Sequence, residues 1–168
     1  MNLAIFQAIN NSAGQWSWLD WAGKFLARDF LFIFIAIVLI LWFKRNLRWR
    51  VYLALAAALI SRFVIVELLK KWLDQPRPFE VVSNIHQLLV DEKSGFSFPS
   101  GHTAIFFSLA FAFYGTKYFW PFIVLAIIGS LARIFVGVHF PLDIVASVFI
   151  AMIVVWSLKR LFKPKILG

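Results

Sequence analysis

Five long apolar segments constrain this chain more than any other feature of its sequence. They cover residues 26–43, 51–69, 103–118, 119–138 and 142–158. A helix needs about 20 mostly apolar residues to cross a bilayer, and these segments approach or reach that length. Hydrophobic residues make up 62% of the chain and charged residues 15%. That composition excludes a small soluble domain, because too few polar groups remain to cover its surface. We predict an all-α, polytopic membrane helix bundle with five to six transmembrane helices, forming one domain over residues 1–168.

The number of spans depends on the N-terminus. The apolar residues among the first dozen predict a short amphipathic helix that lies on the membrane surface. Alternatively, the same residues begin a sixth span. The chain has no cysteine, so disulfide bonds and thiolate sites are excluded.

The net charge of +9 lies on one side of the predicted bundle. Its nine uncompensated cations are Lys44, Arg45, Arg48, Arg50, Lys117, Lys159, Arg160, Lys163 and Lys165. Acidic and basic residues balance elsewhere. Because cytoplasmic loops of membrane proteins carry the excess of Lys and Arg, this side is predicted to be cytoplasmic. The basic charge therefore indicates topology in a cell membrane, and we predict no nucleic-acid partner.

A second set of ionisable residues lies at the opposite ends of the predicted spans. These residues are Lys70, Arg77, His102, Arg133, His139 and Asp143. They come from four different segments but share one membrane depth. Charges at the membrane edge are costly and are functional candidates by default, so this end is predicted to carry an active site.

Each part of the set also has a plainer interpretation. Lys70 and Arg77 are compatible with snorkelling residues at the interface. Ser100 and Gly101 precede an apolar helix, where a capping serine and a glycine suit an anion near free backbone N–H groups. They are equally compatible with an ordinary helix start that has His102 in its first turn.

The third part of the set is built around His139. Asp143 follows it at the i,i+4 spacing that brings two side chains together on a helix. A carboxylate on one ring nitrogen leaves the other nitrogen available as a nucleophile or base. The alternative is a buried ion pair that stabilises the start of a helix. Arg133 lies at the end of the preceding segment.

Together these parts predict phosphoryl transfer. Cations and backbone donors stabilise the charge on the equatorial oxygens, one histidine attacks phosphorus, and the other protonates the leaving oxygen. The carboxylates are too few and too far apart for a metal site, so we predict neither a metal nor another cofactor.

At this point the sequence resembles the type 2 phosphatidic acid phosphatase (PAP2) superfamily of membrane lipid phosphatases. The family signature is Lys-x6-Arg-Pro, then Pro-Ser-Gly-His, then Ser-Arg-x5-His-x3-Asp. The matching residues are Lys70 with Arg77-Pro78, then Pro99-Ser100-Gly101-His102, then Ala132-Arg133 with His139 and Asp143. The one departure is Ala132, where the family often has serine.

The resemblance implies a role for each matching residue. His139 would be the nucleophile that forms a phosphohistidine, with Asp143 orienting it. His102 would be the general acid and then the base that activates water. The phosphate ligands would be Lys70, Arg77, Ser100, Gly101 and Arg133.

The function implied is a metal-independent lipid phosphate or diphosphate phosphatase with an extracytoplasmic site. The compact chain most resembles bacterial undecaprenyl diphosphate phosphatases, which recycle a carrier lipid; the runner-up is a phosphatidylglycerophosphate, phosphatidate or lipid A phosphatase. A non-catalytic protein that binds phospholipid headgroups, and a transporter, are alternatives from other classes.

Two charged residues of the second segment lie outside the motifs. Arg62 is interpreted as structural or as an extension of the headgroup pocket, and Glu67 as neutralising Lys70 or Lys71.

Overall fold

The computed structural model describes residues 2–90 and 95–162, and within those residues it contains helices and turns but no strand. The helices are α1 (Asn2–Asn10), α2 (Ser17–Arg28), α3 (Phe30–Ile40), α4 (Arg48–Leu59), α5 (Glu67–Leu73), α6 (Pro78–Val81), α7 (Gly101–Phe111), α8 (Phe119–Phe135) and α9 (Pro141–Leu161). A π-helical segment, Ile60–Val66, joins α4 directly to α5. The prediction of an all-helical chain is confirmed. Two of the tail cations, Lys163 and Lys165, lie outside the described residues.

All five apolar segments are helical over most of their length, but their lengths differ. By length and composition, Arg45–Val81 and Pro141–Leu161 can each cross a membrane. The pair formed by Ser17–Arg28 and Phe30–Phe43, bent by 50° at Asp29, adds a third span if it is counted as one. Helices α7 and α8 are apolar but shorter.

One predicted boundary, and the alternative of a span at the N-terminus, differ from the structure. Helix α7 ends at Phe111 rather than continuing to residue 118, because the chain turns at Gly115, whose φ of 81° is unfavourable for residues with a side chain. Helix α1 has nine residues, too few for a span. Its Phe6 is fully buried in a cluster with Ile134 and Ile144, so α1 packs onto the bundle.

Helix α7 forms the centre of the bundle and packs against α4, α8 and α9. Small residues let α4 and the π-helical segment approach it closely: Ala54, Ala58 and Ser61 are all buried. The Ser108 hydroxyl donates a hydrogen bond of 3.1 Å to the Ser61 hydroxyl across this interface. Helix α7 is thus packed closely against the span that contains α4 and the π-helical segment.

Contacts between the loops place three groups of cations at one end of the bundle. Lys44 Nζ donates to the Tyr118 hydroxyl at 2.8 Å. Arg50 donates to the Tyr114 carbonyl at 2.7 Å, and Lys159 lies 5.8 Å from the centroid of the Tyr114 ring. The loop after α3, the turn after α7 and the end of α9 are therefore neighbours.

The long loop before α7 is fastened to the opposite end by Asn10, which is 1% exposed. Its amide donates to the carbonyls of His86 and Phe135 at 2.9 and 2.8 Å and accepts from the His86 N–H at 2.9 Å. Gly137 (φ 84°) passes so close that a Cβ there would lie 2.7 Å from the His86 carbonyl oxygen. These contacts hold the loop beside the α8–α9 turn, where His139 lies.

Candidate active site

A small polar cavity of about 70 Å³ opens at this loop-bearing end. Its lining residues are Arg62, Lys70, Arg77, Gly101, His102, Arg133 and His139. The structure thus brings together residues that the sequence places in three separate motifs. The cavity fits a phosphate-sized group rather than the body of a lipid. Ser100 and Asp143 lie behind Gly101 and His139, respectively.

Arg77 is positioned by the turn that follows α5. Asp74 ends α5 in the left-handed conformation, with φ of 43°. Pro78 then begins α6, and the Arg77 backbone N–H donates to Glu80 Oε2 at 2.7 Å. The other Glu80 oxygen accepts from the Gly95 N–H at 3.3 Å. A rigid start to α6 therefore fixes the backbone from which the Arg77 side chain extends.

His139 lies between α8 and α9 and is held through one ring nitrogen. Its Nδ1 is 3.1 Å from Asp143 Oδ2, and both residues are 1% exposed. The same carboxylate oxygen accepts from the Phe140 N–H at 2.9 Å and from the hydroxyl of Ser97. Because Nδ1 faces the carboxylate, Nε2 is the nitrogen left to face the cavity.

Burial governs the protonation of His139. Burial lowers the pKa of the imidazole to about 4. The hydrogen bond to Asp143 raises this pKa but is outweighed, and the charge of Arg133 lowers the pKa further. The ring is therefore neutral over the physiological range, as a nucleophile must be.

We expect the acid limb of the pH profile that belongs to His139 to lie near pH 4 rather than near 6.5. Below that pH the ring is protonated and has no lone pair for attack. The measurement is kcat/KM against pH, which reports ionisations of the free enzyme, with p-nitrophenyl phosphate and a correction for the ionisation of that substrate. An acid limb near pH 6.5 that Asp143→Asn shifts to lower pH would belong to His139 and would contradict this assignment.

The start of α7 is linked to the same carboxylate residue. The Ser100 N–H donates to the backbone carbonyl of Asp143 at 3.3 Å, and the Ser100 hydroxyl caps α7 by accepting from the Thr103 N–H at 3.5 Å. Ser100 is completely buried. The motif that contains Gly101 and His102 is thereby held in register with the motif that contains His139.

The Arg133 side chain, which lines the cavity, is oriented by a hydrogen bond to helix α2. One guanidinium nitrogen donates to the backbone carbonyl of Ala27 at 3.0 Å, and Arg133 is 2% exposed. Helix α2 approaches α8 closely at Gly23, where a Cβ would lie 2.5 Å from the Phe135 ring. A main-chain oxygen near the end of α2 therefore orients a candidate phosphate ligand on α8.

We expect Gly23→Ala to lower the free energy of unfolding by about 1–3 kcal/mol, because the added methyl overpacks the contact with Phe135. Activity should fall as well, since the displaced α2 would move the Ala27 carbonyl away from Arg133. Thermal unfolding in detergent and kcat/KM measure the two effects. Combining Gly23→Ala with Phe135→Leu should restore part of both; no effect of Gly23→Ala alone would contradict the close approach.

Sequence reasoning missed Ser97 and the partner of Arg62. Ser97 is 1% exposed, and its hydroxyl contacts Asp143 and lies 3.4 Å from His139 Nδ1. Its signal in the sequence is a small hydroxyl residue between Phe96 and Phe98, just before the Pro-Ser-Gly-His motif. Arg62 lines the cavity, and its ion pair is with Glu67, which was assigned to Lys70 or Lys71. Among the described residues there is no group of three His, Asp or Glu side chains that could hold a metal.

Comparisons with known proteins give a family match and relatives that cover most of the chain. The model of the PAP2 superfamily matches residues 49–166. Undecaprenyl-diphosphatase BcrC of Bacillus subtilis (strain 168) is 32% identical over 157 residues, which cover 92% of this chain and 80% of that protein. A Bacillus licheniformis protein named bacitracin transport permease protein BcrC is 31% identical over 172 residues, covering 96% and 82% of the two chains.

A solved structure gives the same result for the fold. The crystal structure of Aquifex aeolicus LpxE is similar with a TM-score of 0.81 at 27% sequence identity. The similarity covers 95% of this chain and 94% of that one. The bundle therefore shares its fold with that structure over nearly the whole length of both chains.

Proposed function

This chain belongs to the PAP2 superfamily of membrane phosphatases, and we propose that it removes the terminal phosphate of undecaprenyl diphosphate at the extracytoplasmic face of the cell membrane. The observation that carries the proposal is the pairing of His139 with Asp143 at the wall of a cavity lined by cations. A protein that only bound phospholipid headgroups would need the cations but not an oriented, neutral histidine.

The residues of the cavity divide the reaction between them. Lys70, Arg77 and Arg133 hold the nonbridging oxygens of the terminal phosphate, together with the start of α7 at Gly101. His139 Nε2 attacks phosphorus, and the Asp143 carboxylate stabilises the positive charge that develops on the ring.

His102 acts on the oxygens that leave and arrive. For a monoester it protonates the departing alkoxide, and in the second half of the reaction it takes a proton from water as water attacks the phosphohistidine. Inorganic phosphate and the dephosphorylated lipid are the products. No metal ion is needed for either half, since the charge on the phosphate is balanced by side chains.

The orientation of the site is supported by the distribution of charge. The loop after α3, the turn after α7 and the end of α9 lie together, and their charged residues are all basic. Their end of the bundle is cytoplasmic by the positive-inside rule. The cavity opens at the other end, where a lipid in the outer leaflet can present its headgroup.

Phosphate release by the purified protein tests the substrate. Undecaprenyl diphosphate, phosphatidate and phosphatidylglycerophosphate are compared in the same detergent, with His139→Ala as the control for contaminating phosphatases. We expect the polyprenyl diphosphate to be cleaved at least as well as the other two lipids, with EDTA causing no loss. Vanadate should inhibit as a phosphate mimic. Strong preference for a glycerophospholipid would contradict the substrate, and an absolute metal requirement would contradict the mechanism.

Because the chain has no native cysteine, single introduced cysteines test the orientation. Ser83→Cys lies in the exposed part of the long loop, and Asn46→Cys lies among the basic residues after α3. A membrane-impermeant maleimide should label Ser83→Cys in intact cells and Asn46→Cys only after permeabilisation. The reverse pattern would place the cavity on the cytoplasmic side.

A further inference from the structure

Arg62 is a fourth cation at the cavity, and it lies outside the three motifs that define the site. It lines the cavity together with Lys70 and Arg77, although it comes from eight residues earlier than Lys70 in the same span. Its backbone is therefore nearer the middle of that span than the backbone of Lys70 or Arg77. A side chain that extends from there reaches the site from the direction in which a lipid tail must lie.

The π-helical segment Ile60–Val66 explains how the Arg62 side chain is held. In an α-helix, residues five apart point about 140° away from each other, since each residue turns the chain by about 100°. The wider π-turn hydrogen-bonds residues five apart and brings them onto one face. Arg62 and Glu67 have this spacing, and Arg62 Nη1 forms an ion pair with Glu67 Oε1. The carboxylate thus fixes one edge of the guanidinium.

Gly101 provides the space for the rest of the side chain. A Cβ at Gly101 would lie 2.5 Å from Arg62 Cδ and 2.5 Å from Arg62 Nε. The arginine therefore lies directly across the first residue of α7, next to His102. The glycine of the Pro-Ser-Gly-His motif here accommodates a protein cation as well as a ligand.

We propose that Arg62 binds the second, lipid-linked phosphate of a diphosphate substrate and makes the enzyme selective for diphosphates over monophosphates. This inference rests on the proposed function. With the terminal phosphate held by Lys70, Arg77 and Arg133, the second phosphate lies on the tail side of it, which is the side that Arg62 occupies. A monophosphate has no group at that position.

The proposal gives Arg62 a defined part in the first chemical step. A bond forms between His139 Nε2 and the terminal phosphorus, and the bond from that phosphorus to the bridging oxygen breaks. The electron pair stays on the bridging oxygen, which becomes a nonbridging oxygen of the lipid monophosphate. Arg62 stabilises the negative charge gained there. Water then cleaves the phosphohistidine and releases inorganic phosphate.

Arg62→Gln tests the proposal with two substrates that share one chain, farnesyl diphosphate and farnesyl monophosphate. We expect kcat/KM to fall about 10- to 100-fold for the diphosphate, as for loss of a charge-assisted hydrogen bond, and less than about threefold for the monophosphate. Glu67→Gln should shift selectivity in the same direction by a smaller factor. Lys71→Gln is the matched control, because it removes one charge from an exposed position of α5 and should leave selectivity unchanged.

The outcomes separate this inference from the proposed function. Suppose that the wild-type protein cleaves the diphosphate but Arg62→Gln lowers kcat/KM equally for both substrates. Arg62 then does not bind the second phosphate, and only the inference is overturned. If the wild-type protein fails to cleave the diphosphate, both fall. Arg62→Lys keeps the charge and serves as the second variant if Arg62→Gln unfolds early in thermal melts. Its selectivity should lie between those of Arg62→Gln and the wild type, and a folded Arg62→Lys that lowers kcat/KM equally for both substrates would also overturn the inference.

Discussion

His139→Ala is expected to abolish hydrolysis of both a lipid monophosphate and p-nitrophenyl phosphate, whereas His102→Ala is expected to separate the two substrates. The nucleophile is needed whatever group leaves. The value of a general acid depends on how basic the leaving oxygen is, and it is typically about 10²- to 10⁴-fold. A lipid alkoxide leaves poorly without a proton, but a nitrophenolate leaves well.

The burst of nitrophenolate measures this first step directly. His102→Ala should retain a burst while its steady-state rate falls, because the same histidine is needed later to activate water. His139→Ala should show neither a burst nor turnover. If His102→Ala loses the burst as completely as His139→Ala does, then His102 binds the phosphate rather than acting as the acid.

Asp143→Asn is expected to lower kcat by about 10⁴-fold on every substrate, as when a catalytic histidine loses the aspartate that orients it. Three donors converge on Asp143 Oδ2: His139 Nδ1, the Phe140 N–H and the Ser97 hydroxyl. An asparagine oxygen can still accept from them, so the variant should keep the fold and lose the charge that stabilises the reacting ring.

Two serine variants provide graded controls for that result. Ser97→Ala removes one donor to the carboxylate and should cost about tenfold in kcat, the value of one buried hydrogen bond. Ser147→Ala removes a hydroxyl that donates to the Asp143 backbone carbonyl at 2.7 Å and should leave kcat unchanged. Equal losses in both serine variants would indicate a general packing defect, and thermal melts would identify it.

The helices could be predicted because each long apolar segment is nearly uninterrupted in the sequence. The end of α7 could not, since apolar residues continue beyond the last helical residue, Phe111, as far as Tyr114, just before the turn at Gly115. The π-helical segment was also beyond prediction. One extra residue per turn leaves the apolar pattern of a lipid-facing helix almost unchanged, so only the structure shows that Arg62 and Glu67 share a face.

The site divides in the same way. Lys70, His102 and His139 stand in motifs with fixed spacing, and the structure brings them to one cavity. Ser97 belongs to a long loop without periodicity, so its distance from Asp143 is set by tertiary contacts alone. The oxygen that holds Arg133 is a backbone carbonyl, and a backbone carbonyl leaves no trace in the residue type of Ala27.

The hydrogen bond from Arg133 to Ala27 has a consequence for protein engineering. The family match begins at residue 49, yet the carbonyl that orients Arg133 lies upstream of it. A fragment cut at the family boundary would keep every motif and lose this support, so it is not an independent module. Conversely, exchanging residues 1–48 between relatives would change how Arg133 is oriented, and with it the affinity for phosphate, without altering any motif residue.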